Sequence, residues 1–578
     1  MKNFDASMKG LLTAFLLVVT IFSCDARQST RTDTTFAKGS NIKLASPSPQ
    51  QVSNLAFLGQ FWGFLKYHHP SVAKGAYNWD FELFRMLPGA IAAKNNEELS
   101  KSLEAYLEGL PRPASCPDCG IKSKKRIALN PDYGELFNGK IANASLTEKL
   151  NYIRDNRHLG AGYYIAYASV GNPDFRNEND YADMPYPDAG YRLLSLYRYW
   201  AMINYFFPYK DQIDQDWNQV LKDFIPAFVQ ANDERAYVVA TTKLIAKISD
   251  THANLWGSRR AVNLLKGDYL TPVQAKFIEN KLIVTGFYTD TLGLKSKMTI
   301  GEEIVAINGR PVPELVKAYL PMVAASNYDT QLRDLPFNFL LRGHEPSMKL
   351  TVRGDKGNRE VMLNMLTQGF RFTNIDYTRP GGYELIDGNI GYVYPAKYKN
   401  TDLPAIKKLF ANAQSIVVDM RCYPSDFMPF TFGNYIKKKH SPFVNFTRAD
   451  LQRPGEFSFA DQPLKNGGGG QFSGNVIVIV DASSQSNAEY TTMAFQSAAN
   501  VRVLGSTTAG ADGNVSRIVL PGGLSTMISG IGIFYPDGTP TQRVGVKIDY
   551  PMKPTIKGIQ QGKDELLDRA IELLRKGW

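Results

Sequence analysis

A run of apolar residues, Val476 to Val480, breaks into the polar turn Asp481-Ala-Ser-Ser-Gln-Ser486 and then into a periodic segment. Consecutive apolar positions without alternation predict a short strand covered on both faces of an α/β sheet. From Asn487 onward Thr491, Ala494, Phe495 and Ala498 recur at helical spacing, so a helix follows the turn. Ile390 to Tyr394, Ser415 to Asp419 and Val501 to Leu504 are similar runs, separated by helical stretches such as Pro404 to Ala413. The C-terminal part, 369–578, is therefore expected to be a layered, mainly parallel sheet.

Upstream the pattern changes. Between 261 and 368 strand-like runs dominate, among them Lys281 to Thr285 and a run closed by the Asn308-Gly309 turn. Further upstream, aromatic and apolar residues at helical spacing occur twice. Trp62, Tyr67, Pro70, Trp79 and Pro88 are matched at one constant offset by Trp200, Tyr205, Pro208, Trp217 and Pro226. Two similar helical units, 52–116 and 191–260, are expected, with their tryptophans in packing roles. The segment between them, 117–190, is rich in Asn, Asp and Tyr and reads as an irregular insertion.

At the N-terminus Lys2 and Lys9 precede an apolar run, Leu11 to Phe22, that ends at Ser23-Cys24. It has the parts of a secretory signal and is short for a membrane span. Ile21-Phe-Ser-Cys24 resembles a bacterial lipoprotein box, which makes 1–24 a signal peptide, Cys24 a lipidation site and 25–51 a flexible tether. On this reading the protein is exported to the periplasm or cell envelope and touches the membrane only through that anchor. An ordinary cleaved signal with an incidental cysteine is the alternative.

The chain of 578 residues carries 66 basic and 55 acidic side chains, a net charge of +11. No basic block with interleaved aromatics accompanies the excess, so no nucleic-acid partner is expected. Cys116 and Cys119 form Cys-Pro-Asp-Cys, which lacks the second ligand pair of a structural zinc; in an exported protein a local disulfide is expected. No metal and no cofactor is assigned.

The turn itself admits two readings. A serine at the mouth of a helix lies beside free backbone N–H groups and the positive end of the macrodipole, which suits a nucleophile whose attack creates an oxyanion. Ser486-Asn-Ala-Glu489 is equally a capping box. A second signal comes from the repeat: its second copy ends in Asp250-Thr251-His252, where the first has Ala114. A histidine needed only for packing would be wanted in both copies.

Taken in order, "GEEIVAING" at 301–309, "VVDMRCYPSD" at 417–426, "SQSNAE" at 484–489, "GSTTAGADGN" at 505–514 and "YPDGTPTQRVGV" at 535–546 resemble the tail-specific, or C-terminal-processing, serine protease family. The resemblance implies a multidomain α/β protein. It would have a crotonase/ClpP-like catalytic core at 369–578, a PDZ-like β-rich domain at 261–368 and the duplicated N-terminal helical region. It implies hydrolysis of peptide bonds in extended or C-terminal segments of a peptide or unfolded protein, captured by strand addition in a groove beginning at Gly301 and Ile304.

The family's Ser–Lys dyad places its lysine where Gly510-Ala511-Asp512-Gly513 stands, so the tricorn-like arrangement fits better. On that carry-over Ser486 is the nucleophile and His252 the general base. Thr251 takes the place of a serine, and Gln542 that of the orienting glutamate. A neutral amide cannot stabilise an imidazolium by charge. Asp512 is the substitute orienter, with Asp250 behind it. Backbone N–H groups of Asn487 and of the Pro424-Ser425-Asp426 turn are assigned to the oxyanion hole. The missing lysine, Gln542 and the altered turn keep a second reading open, a catalytically silent peptide-binding lipoprotein on the same fold.

Overall fold

The computed structural model describes residues 33–121, 123–288, 293–355, 357–367 and 381–577. The signal-like segment and Cys24 lie outside them. Among the described residues no helix is long and apolar enough to cross a membrane.

The apolar runs of the C-terminal part do form one sheet. Its strands, in spatial order, are Tyr383–Ile386, Ile390–Val393, Ser415–Asp419, Asn475–Val480, Val501–Gly505 and Tyr550–Pro551. All neighbours are parallel except the first pair. The lack of alternation has a direct cause in packing. Val476, Val478 and Val480 face a core shared with Ala488 and Phe495 of helix Asn487–Gln496. Ile477 and Ile479 face Leu566, Leu567 and Ala570 of helix Glu565–Lys576. From Val476 to Val480 both faces of the strand are thus removed from water, which leaves no place there for a polar residue. Arg421 ties the C-terminal helix to the sheet, bridging Asp419 and Asp564 at 2.7 Å each.

In the helical region Pro49–His68 packs against Ala189–Phe206. Trp62 and Trp79 each donate the indole N–H to the other's carbonyl, at 2.8 and 3.0 Å. Trp200 and Trp217 do the same at 2.9 and 3.0 Å. The indoles are buried polar groups that the partner's backbone satisfies, which fixes how each helix pair meets. The segment 117–190 differs from the expected loop in holding a full helix, Ala144–Asp155, capped by Asn143. Cys116 and Cys119 are joined by a disulfide. Residues from 33 on are held to the helical region, where Ser40 N–H and Oγ both donate to Asp188 at 2.6 Å.

The β-rich part holds the strands Val273–Ile278, Lys281–Phe287, Glu303–Ile307, Ser347–Gly354 and Gly357–Asn364 in one sheet. Gly301 does not open onto a groove: its carbonyl faces the Gln560 amide at 3.4 Å, and a Cβ there would lie 2.2 Å from the Gln560 side chain. Ile304 is buried against the interior of the same sheet. The two residues assigned to peptide capture therefore serve contact with the core and packing.

Candidate active site

The site is assembled from four separate parts of the chain. Strand Asn475–Val480 and helix Asn487–Gln496 present Ser486 at the turn between them. Ser486 has φ 55° and ψ −114°, a region that costs a residue with a Cβ about 1–3 kcal/mol. The surroundings hold it there. Its N–H faces Ala511 O at 3.0 Å and Glu489 Oε2 at 3.1 Å, and its carbonyl accepts from Tyr490 N–H. Half of the capping box is thus present, the return bond from Glu489. The Ser486 hydroxyl makes no capping hydrogen bond and is left for other work.

Glu489, which the sequence offered only as a capping partner, fixes the facing loop. Its buried carboxylate accepts from Thr508 Oγ1 (2.5 Å), Gly510 N–H (2.8 Å) and Ala511 N–H (3.1 Å) besides Ser486. Burial pushes its pKa up, and these hydrogen bonds oppose the rise.

A second part of the candidate site is the turn after helix Glu234–Ala246. Thr251 Oγ1 donates to Ala509 O at 2.9 Å and accepts from Ser326 N–H at 3.0 Å. It locks the histidine turn to the loop that Glu489 holds on its other side. Gln542 is buried behind this turn, its amide 3.4 Å from Ser249 O and 3.5 Å from Ser326 Oγ. It supports the turn and does not reach the imidazole.

His252 Nδ1 lies 2.9 Å from Ser529 Oγ and 3.6 Å from Asp250 Oδ1. Ser529 comes from the end of the hairpin Val515–Leu520 and Leu524–Ser529, whose second strand also pairs with Trp256–Gly257. Its hydroxyl donates to Asp250 Oδ1 at 3.1 Å and its N–H donates to Asp250 Oδ2 at 2.6 Å. Burial acts to raise the Asp250 pKa, but the bonds and charge of His252 and the Ser529 N–H hold the carboxylate below its ordinary range. An ionised Asp250 only accepts, so the single Ser529 proton points to it and the lone pair accepts Nδ1–H. That assignment leaves Nε2 without a proton, the tautomer a general base requires.

Asp512 is not the orienter. It is buried, one of its carboxyl oxygens has no hydrogen-bond partner, and burial and the neighbouring Glu489 drive its pKa well above the ordinary carboxylate value. Its other oxygen accepts from Gly513 N–H at 2.7 Å, and neither oxygen is bonded to the imidazole. Ser425 departs from its assigned role as well. Its N–H is spent on Pro395 O at 2.9 Å and its hydroxyl on Tyr398 O at 2.5 Å, which ties the turn to the segment after strand Ile390–Val393 and leaves neither for an oxyanion. Asn487 N–H, in the first turn of its helix, has no intrahelical acceptor and remains available to an oxyanion.

A cleft of about 710 Å³ is lined by His252, by Gln485 next to Ser486, and by Trp256 and Met527. Among the described residues no hydrogen bond joins Ser486 to His252; catalytic contacts of this kind commonly tighten only with substrate bound.

Residues 390–552 match the model of peptidase family S41. Over that segment the chain is similar to the S41 peptidases. The fold of mature CPAF, solved with lactacystin, is 13% identical, with a TM-score of 0.52 over 67% of this chain and 98% of that one. A peptidase from Parabacteroides merdae, described as putative, is 15% identical with a TM-score of 0.42, over 67% of this chain and 96% of its own. The tricorn protease is 16% identical with a TM-score of 0.35, over 67% of this chain and 37% of its own. At such identities the likeness to CPAF is one of fold. No curated protein matches the sequence. Ser529, bonded to both His252 and Asp250, is the member of this cluster that the sequence did not signal.

Proposed function

We propose that this S41 peptidase cleaves peptide bonds with Ser486 as nucleophile and His252 as general base. The observation that carries the reading is the backbone of Ser486. A non-glycine residue held at φ 55° on a strand-to-helix turn, with its hydroxyl uncommitted, is strain retained where an exposed nucleophile is needed. His252 Nε2 takes the Ser486 proton as Oγ adds to the scissile carbonyl. The oxyanion meets the Asn487 N–H and the positive end of the helix. Collapse breaks the C–N bond, the imidazolium returns the proton to the leaving amine, and an acyl-Ser486 ester remains. Water, deprotonated by the same nitrogen, hydrolyses it. Throughout, Asp250 balances the imidazolium charge, directly at 3.6 Å and through Ser529.

We read the substrate as an extended or unfolded polypeptide, the helical region as a duplicated support, and the β-rich part as PDZ-like. The chain is proposed to act outside the cytoplasm, anchored through Cys24; Cys24→Ser should move it from the membrane to the soluble fraction. A fluorophosphonate probe tests the nucleophile: it should label the wild-type protein and leave a folded Ser486→Ala variant unlabelled. Equal labelling of the two would refute the assignment.

A further inference from the structure

The cleft that holds His252 and Gln485 is also lined by Lys266 and Arg342, and the fold places these two cations side by side on purpose-built backbone. Lys266 ends helix Arg259–Lys266, and Gly267 turns the chain at φ +88°. A Cβ at Gly267 would lie 2.2 Å from the carbonyl of Gly343, so only glycine permits this approach. The Gly267 carbonyl then accepts from Arg342 Nη2 at 2.8 Å. A small sheet, Tyr269–Leu270 between Arg342–Gly343 and Leu366–Thr367, fixes the pair.

The charges there are not balanced. Lys266 Nζ donates to a neutral group, Asn338 Oδ1, at 2.8 Å. Arg342 Nε is buried and has no hydrogen-bond partner. Of the two acids of the cleft, Asp334 pairs with Arg333 at 2.7 Å and Asp268 accepts from the Asn263 amide at 2.6 Å; their charges still reach Lys266 and Arg342, but with Arg259 and Arg333 also in the lining the basic side chains outnumber the acids. Burial, and then the charge of Arg342, push Lys266 down to about 8; burial likewise lowers Arg342. Two partly buried cations lining the cleft that also holds His252 form a donor set suited to an anion. A polypeptide substrate carries that anion as a carboxylate, which matches the planar donor set of a guanidinium.

We infer that Lys266 and Arg342 form a subsite for a carboxylate of the bound peptide, so that the cleft selects chains presenting a negative charge beside His252. The carboxylate is either an acidic side chain or the chain terminus. The inference rests on the cleft being the peptidase site. It is tested by binding, so that its outcome is separate from that of catalysis.

The test uses the full chain carrying Ser486→Ala and three rhodamine-labelled Ala/Gly octapeptides: the free acid, its C-terminal amide, and the amide with one internal glutamate. Fluorescence anisotropy should give a dissociation constant at least about tenfold lower for one or both carboxylate-bearing peptides than for the plain amide. Preference for the free acid identifies the terminus as ligand; preference for the glutamate peptide identifies the side chain. Adding Lys266→Met, or separately Arg342→Met, should bring the preferred peptide down to the affinity of the amide, with circular dichroism confirming that each variant is folded. Equal binding of all three peptides, no binding by any, or a preference that survives both substitutions would overturn the inference. A preference in a protein that no fluorophosphonate labels would uphold the subsite and refute the nucleophile alone.

Discussion

Ser529 Oγ stands 2.9 Å from His252 Nδ1, and its own proton is directed at Asp250. A hydroxyl thus sits between acid and base where a carboxylate would make direct contact. The consequence is a division of labour: Ser529 sets the tautomer and angle of the ring, and Asp250 supplies the charge.

Removing either should slow acylation without touching the nucleophile. Asp250→Asn and Ser529→Ala are each expected to reduce kcat/KM by roughly 10²-fold, the lower part of the range for a disabled general base. The drop should lie in kcat, with KM little changed, because neither residue lines the cleft beside His252. Ser529→Thr, which keeps the hydroxyl, should recover much of the loss. A fall in KM affinity with kcat intact would assign Ser529 to packing.

Two of the buried acids near the site, Asp250 and Asp512, carry opposite pH signatures. Asp250 is held below its ordinary pKa, so its contribution to stability is present above the unfolded value and is lost as pH falls through the folded one. Asp512 is held well above 3.8, so its contribution is full below that value and is lost as pH rises. At pH 7 Asp512 therefore opposes folding. Asp512→Asn should raise the melting temperature by about 1–3 °C at pH 7 and by less at pH 4, with peptidase activity retained. Loss of activity in a stabilised variant would return Asp512 to the catalytic set.

Glu489 accepts four hydrogen bonds from the nucleophile turn and the facing loop. Glu489→Ala would leave those donors buried and unpaired, at a cost of about 1–3 kcal/mol for each donor that finds no water. A large drop in melting temperature is expected, together with loss of fluorophosphonate labelling even at temperatures where the variant is folded. Normal labelling would show that the loop holds its shape without the carboxylate.

The reciprocal indole bonds give a control remote from the chemistry. Trp200→Phe removes the indole hydrogen bond to the Trp217 carbonyl, which keeps its place in helix Trp217–Val229, an expected loss of about 0.5–1.5 kcal/mol. Chemical denaturation should register it, while Ser486 reactivity well below the transition stays at the wild-type level.

What could be read from the sequence follows from range. The strand at 476–480 and the helix after it were legible because both faces of that strand are buried and the pattern is local. His252 stood out in the sequence because the repeat supplied its own comparison at Ala114, and in the structure it meets Ser529 and Asp250. Ser529 was not, since a serine ending one strand of a hairpin carries no mark until the hairpin folds against a turn nearly three hundred residues upstream. The same holds for Ser425, whose N–H is withdrawn by Pro395, and for Gly301, which a helix near the C-terminus covers. Asp512 was misjudged because its sequence neighbours do not reveal that Glu489 lies beside it in a dry site.

The central claim is tested most directly by labelling the intact wild-type protein with a fluorophosphonate and locating the modified residue by peptide mass spectrometry. The structure predicts a single adduct on Ser486, abolished by Ser486→Ala and strongly slowed by His252→Ala. An adduct on another serine, or labelling at Ser486 that is indifferent to His252, would contradict it.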